Sequence, residues 1–203
     1  MNKSTKNFTR FAILLALEAV FCFTPLGSLP AIGPIVATLA MIPVVVTAHT
    51  MGVRAGGLMG FFAGLFSFIV WSFMPPNPAL AFVFTPLYSF AGVSGGVRSL
   101  LICFVPRILV GVVAAAVYQA LRHKPNVISY GVSGFLGSMM NTIFVMGGIY
   151  VFFGRSYAEA LGVGFELLLG LIWTTVLTSG IPEAVISALT GIFVSSKLNK
   201  YFN

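Results

Sequence analysis

Aspartate is absent from this 203-residue chain, and Glu18, Glu159, Glu166 and Glu183 are its only acids. Charged residues make up 7% of the chain, against about 25% in a soluble globular domain. With 58% hydrophobic residues and a mean hydropathy of +1.02, the composition is that of an integral membrane protein. Histidine is represented only by His49 and His123, and cysteine only by Cys22 and Cys103. These numbers give no metal cluster and no disulfide framework. Both cysteines lie in apolar runs and read as small buried residues. A Walker A motif is also missing, so the chain cannot bind ATP by that route.

One catalytic motif matches formally. "GVSGG" at Gly92–Gly96 fits G-x-S-x-G. The histidines, however, fall near the expected cytoplasmic ends of spans and Ser94 falls on the other side, so no Ser–His pair can form. A catalytic dyad of any other kind is equally hard to assemble from this inventory, and we expect neither an enzyme nor a cofactor. The net charge of +7 does not point to nucleic acid either. Its basic residues flank apolar spans, which is the positive-inside pattern and not a binding stripe.

What is present is a series of long apolar runs. A bilayer core of about 30 Å needs roughly 20 helical residues. Six segments meet or approach that length: Phe11–Phe23, Pro34–Thr50, Gly57–Met74, Ser99–Leu121, Val127–Phe153 and Phe165–Ser195, the last interrupted near Gly180-Ile181-Pro182. The expected fold is a single all-α membrane domain over residues 1–203 with six transmembrane helices. The basic start followed by Phe11–Phe23 could imitate a signal peptide. No clear cleavage site follows, so an uncleaved first span is expected. Lys3, Lys6, Arg10, Arg54, Arg122, Lys124, Lys197 and Lys200 fall on one side and only Arg98 and Arg155 on the other, which predicts cytoplasmic N- and C-termini. The outer connections would be Thr24–Gly33, Pro75–Val97 and Gly154–Gly164. The middle one, with "PPNPALAFVFTPLYSFAGVSGG", is too apolar for a disordered loop and suits a lid or plug packed on the helices. No internal repeat is visible, which disfavours a secondary transporter built from two related halves.

Arg107 stands inside "SLLICFVPRILVGVVAAAVYQAL", directly after Pro106. A cation at mid-membrane costs roughly 2.5–3.5 kcal/mol on insertion scales. The proline removes a backbone donor beside it. Arg107, Asn141 and Glu183 each lie roughly 18–21 Å of helical rise from the inner ends of their spans, which would put them in one polar layer. Two readings follow. Arg107 and Glu183 could form a buried pair that offsets desolvation, or Arg107 could line an outward-facing pocket. Pro106 and Pro182 each break a hydrogen-bond ladder beside a polar residue. Broken helices at membrane depth are tolerated where they are buried or line a cavity, although ordinary proline kinks are common. Ser138 and Thr142 lie near Asn141, and Thr174, Thr175, Thr178 and Ser179 precede Glu183. Tyr88, Phe84 and Trp71 could close an apolar pocket around a small solute or sit in an interfacial belt. Gly56, Gly60 and Gly64 form a GxxxGxxxG series suited to close helix packing, while Ala12 and Ala16 give the first span a small-residue face that could dock a partner.

Several segments together resemble one family. They are "PLGSLPAIGPIVATLAMIPVVVTAHTMGVRAGGLMGFFAGLFSF", "SLLICFVPRILVGVVAAAVYQAL", "GSMMNTIFVMGGIYVFFG" and "SGIPEAVISALTGIFV". Over Ala12 to Ser195 the chain is similar to the substrate-binding S components of energy-coupling factor (ECF) transporters, which are bacterial vitamin importers of the cell membrane. The resemblance implies six helices and a substrate pocket near the outer face, built from the first, third and fifth connections and spans four to six. It implies a transmembrane coupling subunit and two cytoplasmic ATPases as partners, with Ala12 and Ala16 matching the docking face. It also implies that the S component topples in the membrane to carry substrate inward. "FVPRIL", "NTIFVMGG" and "GIPEAV" look most like pantothenate-type S components. Substrate-binding candidates are then Arg107, Asn141, Thr142, Glu183, Ser138, Thr178, Tyr88 and Trp71. Riboflavin, another B vitamin or precursor, and a standalone small-solute secondary transporter remain open at this point.

Overall fold

Apolar runs broken by proline and glycine give helices of unequal length. The computed structural model describes residues 3–24, 39–90 and 92–202. Helices α1 (Lys3–Phe23), α2 (Met41–Met51), α3 (Val53–Phe73), α4 (Gly96–Leu121) and α5 (Asn126–Ala160) are followed by α6 (Phe165–Thr175), α7 (Ile181–Thr190) and α8 (Ser196–Phe202). The last three are one helical rod, joined through π-helical turns at Val176–Gly180 and Gly191–Ser195. Among the described residues, four helices are long and apolar enough to cross a membrane: α3, α4, α5 and the rod Phe165–Tyr201. Helix α1 carries Lys6, Arg10 and Glu18, and α2 has 11 residues. Residues 34–38 of the expected second span and 25–33 of the first outer connection lie outside the described residues.

Boundaries move outward from the sequence expectation. Lys6, Arg10 and Arg54 are helical rather than in loops. A single residue, Gly52, joins α2 to α3, and its φ of 85° is one that side chains rarely tolerate. Helix α5 has 35 residues, about 52 Å of rise. It therefore absorbs most of the expected connection Gly154–Gly164. The sixth span is not broken at Pro182. The π turn before it accommodates the missing donor, because Pro182 then falls in the first turn of α7.

The glycine series of α3 packs on α4. A Cβ at Gly60 would lie 2.2 Å from the Arg107 carbonyl oxygen, and one at Gly111 would lie 2.0 Å from that of Gly56. Only glycine permits this approach, and it fixes the backbone of Arg107 against α3.

Segment 75–95 is a packed lid. A 3₁₀ turn, Pro78–Val83, buries Leu80, Ala81, Phe82 and Val83. Asn77 caps it by accepting from the Ala79 amide at 3.1 Å. Ser99 donates to the Phe82 carbonyl at 2.6 Å, and Ser72 and Thr85 share a 2.7 Å hydrogen bond. A short hairpin, β1 (Ser89–Phe90) with β2 (Val93–Ser94), leads into α4. The glycines of "GVSGG" serve this geometry: Gly92 has positive φ, and a Cβ at Gly95 would lie 2.4 Å from the Phe82 carbonyl. Large side chains such as Val97, Val151 and Phe73 are exposed on the outside of the bundle. In water such a surface would be an association hazard; in a bilayer it is the lipid face.

Candidate functional site

A cavity of about 380 Å³ lies where the helices and the lid converge, within the roughly 300–1,000 Å³ range of small-molecule sites. Its wall includes Trp71 of α3, Phe84 of the lid, Arg107 of α4, Asn141 and Thr142 of α5, and Glu183 of α7. The helices that the depth argument linked do meet on one surface.

The Arg107 side chain is held from two directions. Its Nη1 donates to the carbonyl of Ile102 at 2.8 Å. Its Cζ lies 5.6 Å from the centre of the Phe84 ring, within cation–π range. Phe84 in turn stacks on Trp71 with centroids 4.5 Å apart. Arg107 is 8% exposed, and its Nε has no hydrogen-bond partner among the described residues. Asn141 Oδ1, also on the cavity wall, is likewise buried without a partner. Buried polar atoms are nearly always hydrogen-bonded. A donor and an acceptor both unsatisfied on one cavity wall are an arrangement that a polar ligand completes. Glu183 is 8% exposed on the same wall and places a second ionisable group there.

Three candidates stand elsewhere. Ser138 is fully buried about one turn before Asn141, and its Oγ has no partner among the described residues. Thr178 bonds back to the Thr174 carbonyl at 2.7 Å. Thr175, Ser179 and Glu183, spaced by four, share the face that lines the cavity, and Thr178 is one residue out of phase with it. Tyr88 packs against the cluster formed by the lid, α4 and α5.

The wall also draws on residues that sequence reasoning did not select. Cys22, Met41, Ser67 and Asn77 line it. Helices α1 to α3 thus contribute as well as the later spans, and the fifth connection does not, because α5 runs through most of it. The signal for Ser67 was in the sequence: Gly60, Gly64, Ser67 and Trp71 follow a four-three-four spacing, one stripe of a helix. Beside Cys22, Glu18 is fully buried, and the Cys22 thiol donates to its Oε1 at 3.4 Å. The docking candidates Ala12 and Ala16 are exposed, while Phe11, Leu14 and Leu15 of α1 pack inward.

These features define a multi-pass, all-helical membrane protein with a partly polar, small-molecule-sized cavity. Residues 6–194 match the family described as "ECF transporter, substrate-specific component", and the chain belongs to that family. It is 30% identical over 171 residues, 84% of this chain and 81% of the relative, to the pantothenic acid transporter PanT of Lactococcus lactis subsp. cremoris (strain MG1363). It is therefore an S component of the vitamin-transporter type, a transport protein and not a member of an enzyme family.

Proposed function

We propose that the chain captures pantothenate at the outer face of the membrane and delivers it inward as part of an ATP-driven ECF importer. The observation that carries this reading is the unsatisfied pair on the cavity wall, Arg107 Nε and Asn141 Oδ1. Pantothenate offers what they lack: a carboxylate for the guanidinium, and amide and hydroxyl donors for the carbonyl oxygen. Glu183 and Thr142 would take further hydroxyl contacts. The likeness to a protein named as a pantothenic acid transporter supports the same substrate. Riboflavin is the weaker fit, because Phe84 is already engaged by Trp71 and the guanidinium instead of presenting a free stacking surface.

In this reading residues 1–203 form one six-helix domain with both termini in the cytoplasm. The exposed Ala12–Ala16 face of α1 meets a transmembrane coupling subunit, which works with two cytoplasmic ATPases. Thermal-shift screening of the purified protein against B vitamins and their precursors tests the substrate. Pantothenate is expected to give the largest rise in melting temperature. A larger rise with riboflavin or a pyrimidine precursor would replace pantothenate, and no rise with any of them would overturn vitamin capture. Vitamin uptake by vesicles that hold this chain without any ATPase would favour a standalone transporter instead.

A further inference from the structure

In an α-helix the amide of residue 106 would donate to the carbonyl of residue 102. Pro106 has no amide hydrogen, and α4 continues through it without ending. The carbonyl that Pro106 leaves without its helical donor is that of Ile102, which is buried at 2% exposure. It is this oxygen that accepts from Arg107 Nη1, at 2.8 Å. We propose that Pro106 is a positioning residue for substrate binding: by withholding its N–H it reserves the Ile102 carbonyl as the anchor that aims the Arg107 guanidinium into the cavity. This rests on the reading of Arg107 as the group that meets the substrate carboxylate.

The sequence and the geometry make the pair interdependent. Without the proline, a backbone N–H at position 106 donates to Ile102 O along the helix, and the guanidinium must share a carbonyl that it otherwise has to itself. The weakened anchor leaves the guanidinium freer to swing on its long, flexible side chain. Without Arg107, the freed carbonyl is a buried acceptor lacking its donor, which is costly. The close approach of Gly60 to the Arg107 carbonyl holds the backbone still, so the side chain is the part free to move. Phe84 alone supplies a face and no direction.

Pro106→Ala is the direct test, with Pro106→Ser as a second variant that also carries an N–H. Two readouts are taken on the purified protein. The first uses no vitamin: the rate at which phenylglyoxal modifies Arg107, followed by mass spectrometry. It should rise several-fold in both variants, while their melting temperatures stay equal to wild type or rise because a helical hydrogen bond is restored. The second is pantothenate affinity, which should fall about tenfold, whereas loss of a merely structural proline would move stability and affinity together. Wild-type modification rates in both variants would overturn the proposal. So would wild-type affinity in both variants alongside its loss in Arg107→Ala, and that pattern would leave the substrate reading intact. If the wild-type protein binds no vitamin, the substrate reading fails, and the modification rates still decide whether Pro106 positions Arg107.

Discussion

Two polar clusters sit in this bundle, one half-buried at Tyr118 and Asn199 and the other around Arg107, and they are built in different ways. One joins α2, α4, α5 and α8. His49 Nε2 lies 2.8 Å from Ser133 Oγ, which itself donates to the Ser129 carbonyl, so the imidazole donates to the serine. Tyr118 and Tyr130 share a 2.8 Å hydrogen bond, and Asn199 Nδ2 donates to both hydroxyls at 3.1 and 2.9 Å. The rings of His49, Tyr118 and Tyr130 pack on one another. The other cluster is the cavity wall, where Arg107 Nε and Asn141 Oδ1 have no partner among the described residues. In the first, the hydroxyls, the Asn199 amide and His49 Nε2 bond to one another, and His49 Nδ1 is the ring atom without a partner among the described residues. In the second, the polar atoms face about 380 Å³ of space. The first ties helices together, and the second lines the cavity proposed to hold the substrate. Burial and polarity alone would not tell them apart.

Substitutions should separate the two, with cavity changes moving affinity and changes in the first cluster moving stability. The largest effect is expected for Arg107→Ala: a loss of at least about 100-fold in pantothenate affinity by calorimetry, with the ligand-free melting temperature lower by only a few degrees, because the buried Ile102 carbonyl loses its donor. Gly60→Val would break the comparison on purpose, since its Cβ would meet the Arg107 carbonyl at 2.2 Å. Both affinity and melting temperature should fall sharply. Asn141→Ala removes one neutral hydrogen bond and should weaken binding about tenfold. Tyr130→Phe should cost about 1 kcal/mol, seen as a melting temperature lower by a few degrees with affinity unchanged. Thr178→Ala should alter neither quantity. Any loss of binding there would show that the cavity extends round α6 farther than its wall indicates.

Much of this organisation was legible in the sequence because the physics was local. Hydropathy located the apolar runs, and the cost of Arg107 in such a run singled it out. Helical rise placed Asn141 and Glu183 at its depth. The glycine series read as packing, and its partner proved to be Arg107's own backbone. Other features depended on phase or tertiary contact. Thr178 and Ser179 are neighbours in sequence, but only the second faces the cavity, and the π turn that shifts the helix there leaves no clear residue signature. Cys22 and Ser67 reach the wall from helices chosen for packing. The joint meaning of Pro106 and Arg107 also needed coordinates. The sequence displayed two costs side by side, a cation and a missing donor. In the structure the two meet at the carbonyl of Ile102, which lacks a donor at Pro106 and accepts from Arg107 Nη1.

Recognition of a carboxylate by Arg107 underlies the substrate proposed for this chain. The most direct measurement is titration calorimetry of pantothenate and its alcohol analogue panthenol, each against the wild-type protein and Arg107→Ala. The wild type is expected to bind pantothenate at least about 100-fold more tightly than panthenol, and the variant to bind both weakly and alike. Equal affinity of the wild type for the two ligands, or undiminished pantothenate binding by the variant, would contradict it.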